Sequence, residues 1–102
     1  MHTVINDKRV ALLELCRQYR VKELAVFGSA ATDEFDESRS DIDFTVEFEE
    51  STPLEHADQY FGLLAALQDL FERRIDLVEL SAAKNRFFLA EVARSKRIIY
   101  GQ

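Results

Sequence analysis

At 102 residues the chain has room for one domain (1–102) and one core, and no room for a second substrate-binding domain. Its 47% hydrophobic and 31% charged residues are those of an ordinary globular protein in water. No apolar run approaches the roughly 18 residues of a membrane span, and Met1 to Asp7 is too mixed for a signal peptide, so no membrane association and a cytoplasmic location are expected. A net charge of −6 argues against stable nucleic-acid binding. That charge is uneven: residues 1–72 carry 6 Lys/Arg against 16 Asp/Glu, whereas residues 73–102 carry 7 against 3. The acidic front suits metal ions and a basic partner.

From about Val4 to Tyr19, Ile5, Leu12, Leu15, Cys16 and Tyr19 follow helical spacing and predict a helix that covers a sheet. The single cysteine lies on its apolar side, where packing rather than chemistry is expected. His2 and His56 stand far apart in polar surroundings and point to surface positions, not to a metal site. Leu24 to Phe27 is a short apolar run stopped by Gly28-Ser29, which reads as a buried strand ending in a tight turn. Gly28 permits close approach of backbone to a ligand, and Ser29 can open a helical turn whose N–H groups and hydroxyl suit a phosphate. An ordinary turn fits the same two residues.

A polar loop follows, Thr32 to Ser40. Its acids lack the alternate spacing, the sixth-position glycine and the closing Glu of a calcium loop, which excludes that reading. From Asp41 to Phe48 the residues alternate, with Asp41, Asp43, Thr45 and Glu47 on one face and Ile42, Phe44, Val46 and Phe48 on the other. One face is expected to be core and the other charged. Residues two apart on a strand are about 6.5 to 7 Å apart at Cα, so both carboxylates can reach one site. Their repulsion is relieved by a shared proton or a divalent cation, and hard oxygen donors favour Mg²⁺ or Mn²⁺. The plainer alternative is the solvated face of an edge strand.

Thr52 as N-cap, Pro53 at the first helical position and Glu55 three residues after the cap predict a strong helix start. Tyr60, Leu63, Leu64, Leu67 and Phe71 then form one apolar stripe, read as core, with Gly62 expected to allow close packing against the sheet. Arg73-Arg74 ends the helix and Ile75 to Leu80 supplies a third strand. Within it Asp76 is a charged residue among apolar ones, costly unless exposed, paired or metal-bound. Ser81 is expected to cap a last helix through about Ser95, with more apolar side chains than one stripe needs and so a surplus for a partner surface. Ile98-Ile99-Tyr100 reads as a terminal strand.

The arrangement Gly28-Ser29, eleven residues, then Asp41-Ile42-Asp43 resembles the signature of the DNA polymerase beta-like nucleotidyltransferases, and within them the minimal nucleotidyltransferase (MNT) family, which includes antitoxin partners of HEPN toxins. The run from Lys84-Asn85 through a helix to Ile99-Tyr100-Gly101 also resembles the end of an MNT domain, so the likeness covers nearly the whole chain. It implies an α/β (α+β) fold: a small mixed sheet covered by helices. It further implies that Gly28 and Ser29 hold the phosphates of ATP and that Asp41 and Asp43 hold Mg²⁺, with Asp76 as the third carboxylate of a two-ion site. The implied activity is transfer of AMP to a tyrosine of a HEPN-type toxin.

After the Gly-Ser turn, MNT proteins usually carry a small or basic residue, then Ala, Arg and Gly. Here the stretch is Ala30-Ala31-Thr32-Asp33, and Arg39, nearer the aspartates, is the candidate substitute for the missing arginine; an ion pair with Asp36 or Glu37 is an equal use for it. The departure supports a rival reading, a non-catalytic antitoxin that blocks its partner by contact. A small-molecule nucleotidyltransferase of the aminoglycoside type is disfavoured by length. The residues leave open the nucleotide, the acceptor and whether the chain forms a homo-oligomer.

Overall fold

Alternating strands and amphipathic helices each have an apolar face to bury, and this chain buries them in a four-stranded mixed sheet backed by helices. The structure, a computed structural model, describes residues 1–32, 36 and 41–101. In chain order the elements are α1 (Thr3–Asn6), α2 (Arg9–Gln18), β1 (Val21–Phe27), β2 (Ile42–Phe48), α3 (Pro53–Phe71), β3 (Ile75–Glu79), α4 (Arg86–Ser95) and β4 (Arg97–Tyr100). Single 3-10 turns cover Gly28–Ala31 and Leu80–Ala82. The sheet order is β3-β2-β1-β4, with β2 and β3 parallel and β1 antiparallel to both β2 and β4. This is the mixed sheet with covering helices that the sequence predicts.

Cross-strand partners share a face of the sheet. Val26 pairs with Phe44 and Leu24 with Val46, and this face meets Leu12 and Cys16 of α2 and Leu63, Leu67 and Phe71 of α3 in the main core. Burial pushes the Cys16 thiol up to about 12, so it behaves as an inert packing group. The opposite face carries Phe27 opposite Asp43 and Ala25 opposite Thr45. Helix α4 packs there, with Phe88 edge-on to Phe27 at 5.8 Å between ring centroids. The expected division into a core face and a charged face is therefore incomplete: Thr45, midway along the second face, is only 2% exposed.

The start of α3 is as predicted. Thr52 Oγ1 accepts from the Glu55 N–H, the Glu55 carboxylate accepts from the Thr52 N–H, and Pro53 follows the cap. Other boundaries differ. The single helix expected over Val4 to Tyr19 is two, broken at Asp7-Lys8 within the polar run Asn6 to Arg9, which has no apolar side chain to bury. Strand β1 begins at Val21, not Leu24, because a register shift between Val21 and Glu23 lets Val21 pair with Phe48 and hides the alternation. Strand β2 begins at Ile42, one residue after Asp41, and β3 ends at Glu79. Helix α4 is capped by Asn85, whose side chain accepts from the N–H groups of Phe87 and Phe88, while Ser81 lies in the preceding 3-10 turn. Gly62 accommodates the ring of Tyr19 and not the sheet: a Cβ at 62 would lie 2.5 Å from Tyr19 Cε1.

Candidate active site

Strand β1 stops at Phe27 because Gly28 takes φ +71°, a conformation that costs a glycine little and other residues more. One strand over, Asp43 is the second residue of β2 and stands opposite Phe27. On its other side it pairs with Asp76 of the parallel strand β3, and neighbouring strands lie about 4.8 Å apart. β2 is thus interior to the sheet, which removes the edge-strand alternative. The glycine turn and Asp43 touch: a Cβ built on Gly28 would be 2.8 Å from Asp43 Oδ2.

These surroundings raise the Asp43 carboxyl to about 6, first through burial, then through the like charges of Asp76 and Asp41. Asp41, just before β2, reaches Arg74 with 4.0 Å between Oδ2 and Nη1, and both side chains are largely exposed. The Ile42 N–H donates to the Arg74 carbonyl at 3.3 Å, which ties the two strand starts together. Asp43 and Asp76 therefore sit side by side, with Asp41 within electrostatic reach but turned toward Arg74.

The lettering of this site and of the strands around it agrees with a known pattern: residues 11–102 match the family described as Polymerase beta, Nucleotidyltransferase. The chain belongs to this family.

Within it the chain is a minimal nucleotidyltransferase. It is 41% identical over 73 residues to "Putative protein adenylyltransferase MJ0128" of Methanocaldococcus jannaschii, a span covering 72% of this chain and 70% of the relative. A second relative from the same organism, MJ1379, carries the same description and is 34% identical over 70 residues, 69% of this chain and 68% of its own. A solved structure described as "Structure of putative minimal nucleotidyltransferase" superposes with a TM-score of 0.71 at 31% identity, covering 95% of each chain. A toxin–antitoxin structure with AMP-PNP superposes with a TM-score of 0.71 at 21% identity, covering 92% of this chain and 73% of that one, and shares the fold.

The donor set of this nucleotidyltransferase suits a hard divalent cation in kind: carboxylate oxygens from adjacent strands, one of them on an acid that burial and like charges hold up to about 6. As placed, no three His, Cys, Asp or Glu side chains among the described residues are grouped closely enough to hold one ion. Of the three acids singled out in the sequence, Asp43 and Asp76 are cross-strand partners, while Asp41 lies just before β2 with its carboxylate 4.0 Å from Arg74 Nη1. Arg39 and most of the acidic loop lie outside the described residues.

Three long-range contacts escape sequence reasoning. Ser95 Oγ, at the end of α4, accepts from the Gly28 N–H at 3.1 Å. His56 Nε2 lies 2.9 Å from both carboxylate oxygens of Glu79, linking α3 to the end of β3, so His56 is a tethered group and not simply a surface one. Tyr60 donates to the Leu77 carbonyl at 2.6 Å on the outer edge of β3, one residue past Asp76. Each contact joins residues at least 17 apart in the chain, a separation that carries no local signal.

Proposed function

We propose that this chain transfers AMP from ATP to a hydroxyl of a protein partner, and that the partner is a HEPN-type toxin which it neutralises by modifying a tyrosine. The observation that carries this reading is the placement of Asp43 between the Gly28 turn and Asp76. Support for the partner comes from structural relatives such as the tri-AMPylated Shewanella oneidensis HEPN toxin in complex with MNT antitoxin, whose fold this chain shares with a TM-score of 0.60 at 19% identity, covering 95% of this chain and 72% of that one.

In this reading Gly28 and Ser29 hold the nucleotide phosphates, with Arg39 as an added cationic contact. Asp41, Asp43 and Asp76 hold Mg²⁺, or Mn²⁺ in its place, with Arg74 releasing Asp41 toward the other two. Bound divalent ions supply a lowered pKa for the attacking hydroxyl and neutralise the charge that builds on the triphosphate. Asp76 orients the acceptor and takes up its proton. The acceptor oxygen forms a bond to the α-phosphorus, the bond from that phosphorus to the bridging oxygen breaks, and pyrophosphate leaves. The reaction belongs in the cytoplasm, where ATP and such a partner meet.

A specific observation favours the rival, a binder that blocks its partner by contact alone. Thr32 stands where the family usually places its arginine, and its hydroxyl donates to the Ser29 carbonyl at 3.1 Å. Incubating the protein with ATP, MgCl₂ and the product of the neighbouring open reading frame, then weighing that product, separates the two. An added AMP mass is expected; a stable complex of unmodified partner would favour the binder.

A further inference from the structure

The amide of Gly28 is held from across the chain. Strands β1 and β4 are antiparallel, with Ala25 opposite Ile98 and Val26 opposite Arg97. Carried two residues further, that register sets Ser95 opposite Gly28. Ser95 is the last residue of α4, so its backbone has left the ladder, and its hydroxyl takes the place of the missing strand carbonyl by accepting the Gly28 N–H at 3.1 Å. The hydroxyl's own proton is directed to the Glu91 carbonyl at 3.4 Å, one turn back in the helix, which leaves its lone pairs facing Gly28. Phe88 of the same helix rests edge-on against Phe27, the residue before the turn. Helix α4 thus braces both Phe27 and Gly28, and Gly28 in turn lies against Asp43 Oδ2.

We propose that Ser95 is a positioning residue of the nucleotide site: its hydroxyl fixes the Gly28 backbone beside Asp43, so the phosphate turn is set before nucleotide arrives. This rests on the nucleotidyltransferase reading above, with Gly28 and Ser29 as the phosphate turn. Because the Gly28 N–H is already directed at α4, Gly28 contributes the room for close approach of the phosphates and Ser29 contributes the donors. A lost preorganising hydrogen bond weakens ligand binding without removing any group that touches the ligand.

The test is equilibrium binding of ATP in MgCl₂ by titration calorimetry, which needs no acceptor. Ser95→Ala is expected to bind ATP about fivefold or more weakly than wild type, and Ser95→Thr, which keeps the hydroxyl, within about twofold of it. A Ser95 that only helps α4 fold would lower the melting temperature of Ser95→Ala while leaving its ATP affinity within twofold of wild type, and that result overturns the proposal. Wild-type protein that binds no ATP removes the phosphate-turn reading and the proposal with it. Hydrogen exchange of the Gly28 amide in wild type gives a check that requires no variant: protection is expected with and without ATP, and rapid exchange overturns the assignment.

Discussion

Gly28 and Asp43 occupy each other's space: the glycine has no Cβ, and the carboxylate oxygen fills the position 2.8 Å from where one would be. Two constraints meet there, the positive φ and the contact. Gly28→Ala is expected to lose about 1–2 kcal/mol of stability from backbone conformation alone and to push Asp43 aside, abolishing nucleotide transfer. Urea unfolding and a transfer assay check this together; an alanine variant with wild-type transfer would separate the turn from the chemistry.

The raised Asp43 carboxyl makes stability depend on pH. Its folded value of about 6 lies above the ordinary 3.8, so below pH 3.8 both folded and unfolded chains keep the proton and the full benefit is present. As pH rises from there through about 6 the benefit is lost, because the folded chain must carry a charge that burial and two neighbouring acids oppose. Asp43→Asn should therefore be more stable than wild type at pH 8, by about 1–2 kcal/mol after allowance for solvent screening, and equal to it at pH 3.5. Denaturant midpoints at the two pH values test the sign.

A cation held by the same carboxylates reverses that cost. At pH 8, MgCl₂ is expected to raise the melting temperature of wild type by mass action, with little effect on Asp43→Asn. Equal shifts in both proteins would mean that Mg²⁺ binds elsewhere.

Thr45 offers a prediction on the fold itself. Its side chain is buried between Asp43 and Glu47 along β2, and its Oγ1 has no hydrogen-bond partner among the described residues. Thr45→Val removes the unsatisfied hydroxyl at almost constant shape and is expected to stabilise the protein by about 1 kcal/mol. Thermal unfolding measures it; a loss of stability would show that the hydroxyl has a partner in solution.

Much of this architecture was legible because it is local. The capping run Thr52-Pro53-Glu55, the Leu63-Leu67-Phe71 stripe, the alternation from Ile42 to Phe48 and the stop at Gly28 all act within one turn or one strand, and the structure contains each. What could not be read depends on partners distant in the chain. The bulge at the start of β1 exists to pair Val21 with Phe48, Thr45 is buried on a strand with a neighbour on each side, and Ser95 finds Gly28 only once β4 has paired with β1. The cap of α4 was also misplaced: Asn85, not the expected Ser81, accepts from the N–H groups of Phe87 and Phe88. Asp43 beside Asp76 is the mixed case: both acids stand out in the sequence, and the parallel pairing of β2 with β3 brings them together.

The most direct test of the central claim is pyrophosphate release from ATP in MgCl₂ with the partner protein present, comparing wild type with Asp43→Ala. Release by wild type and none above background by the variant is the predicted result. Equal release by both would contradict a transfer centre built on Asp43.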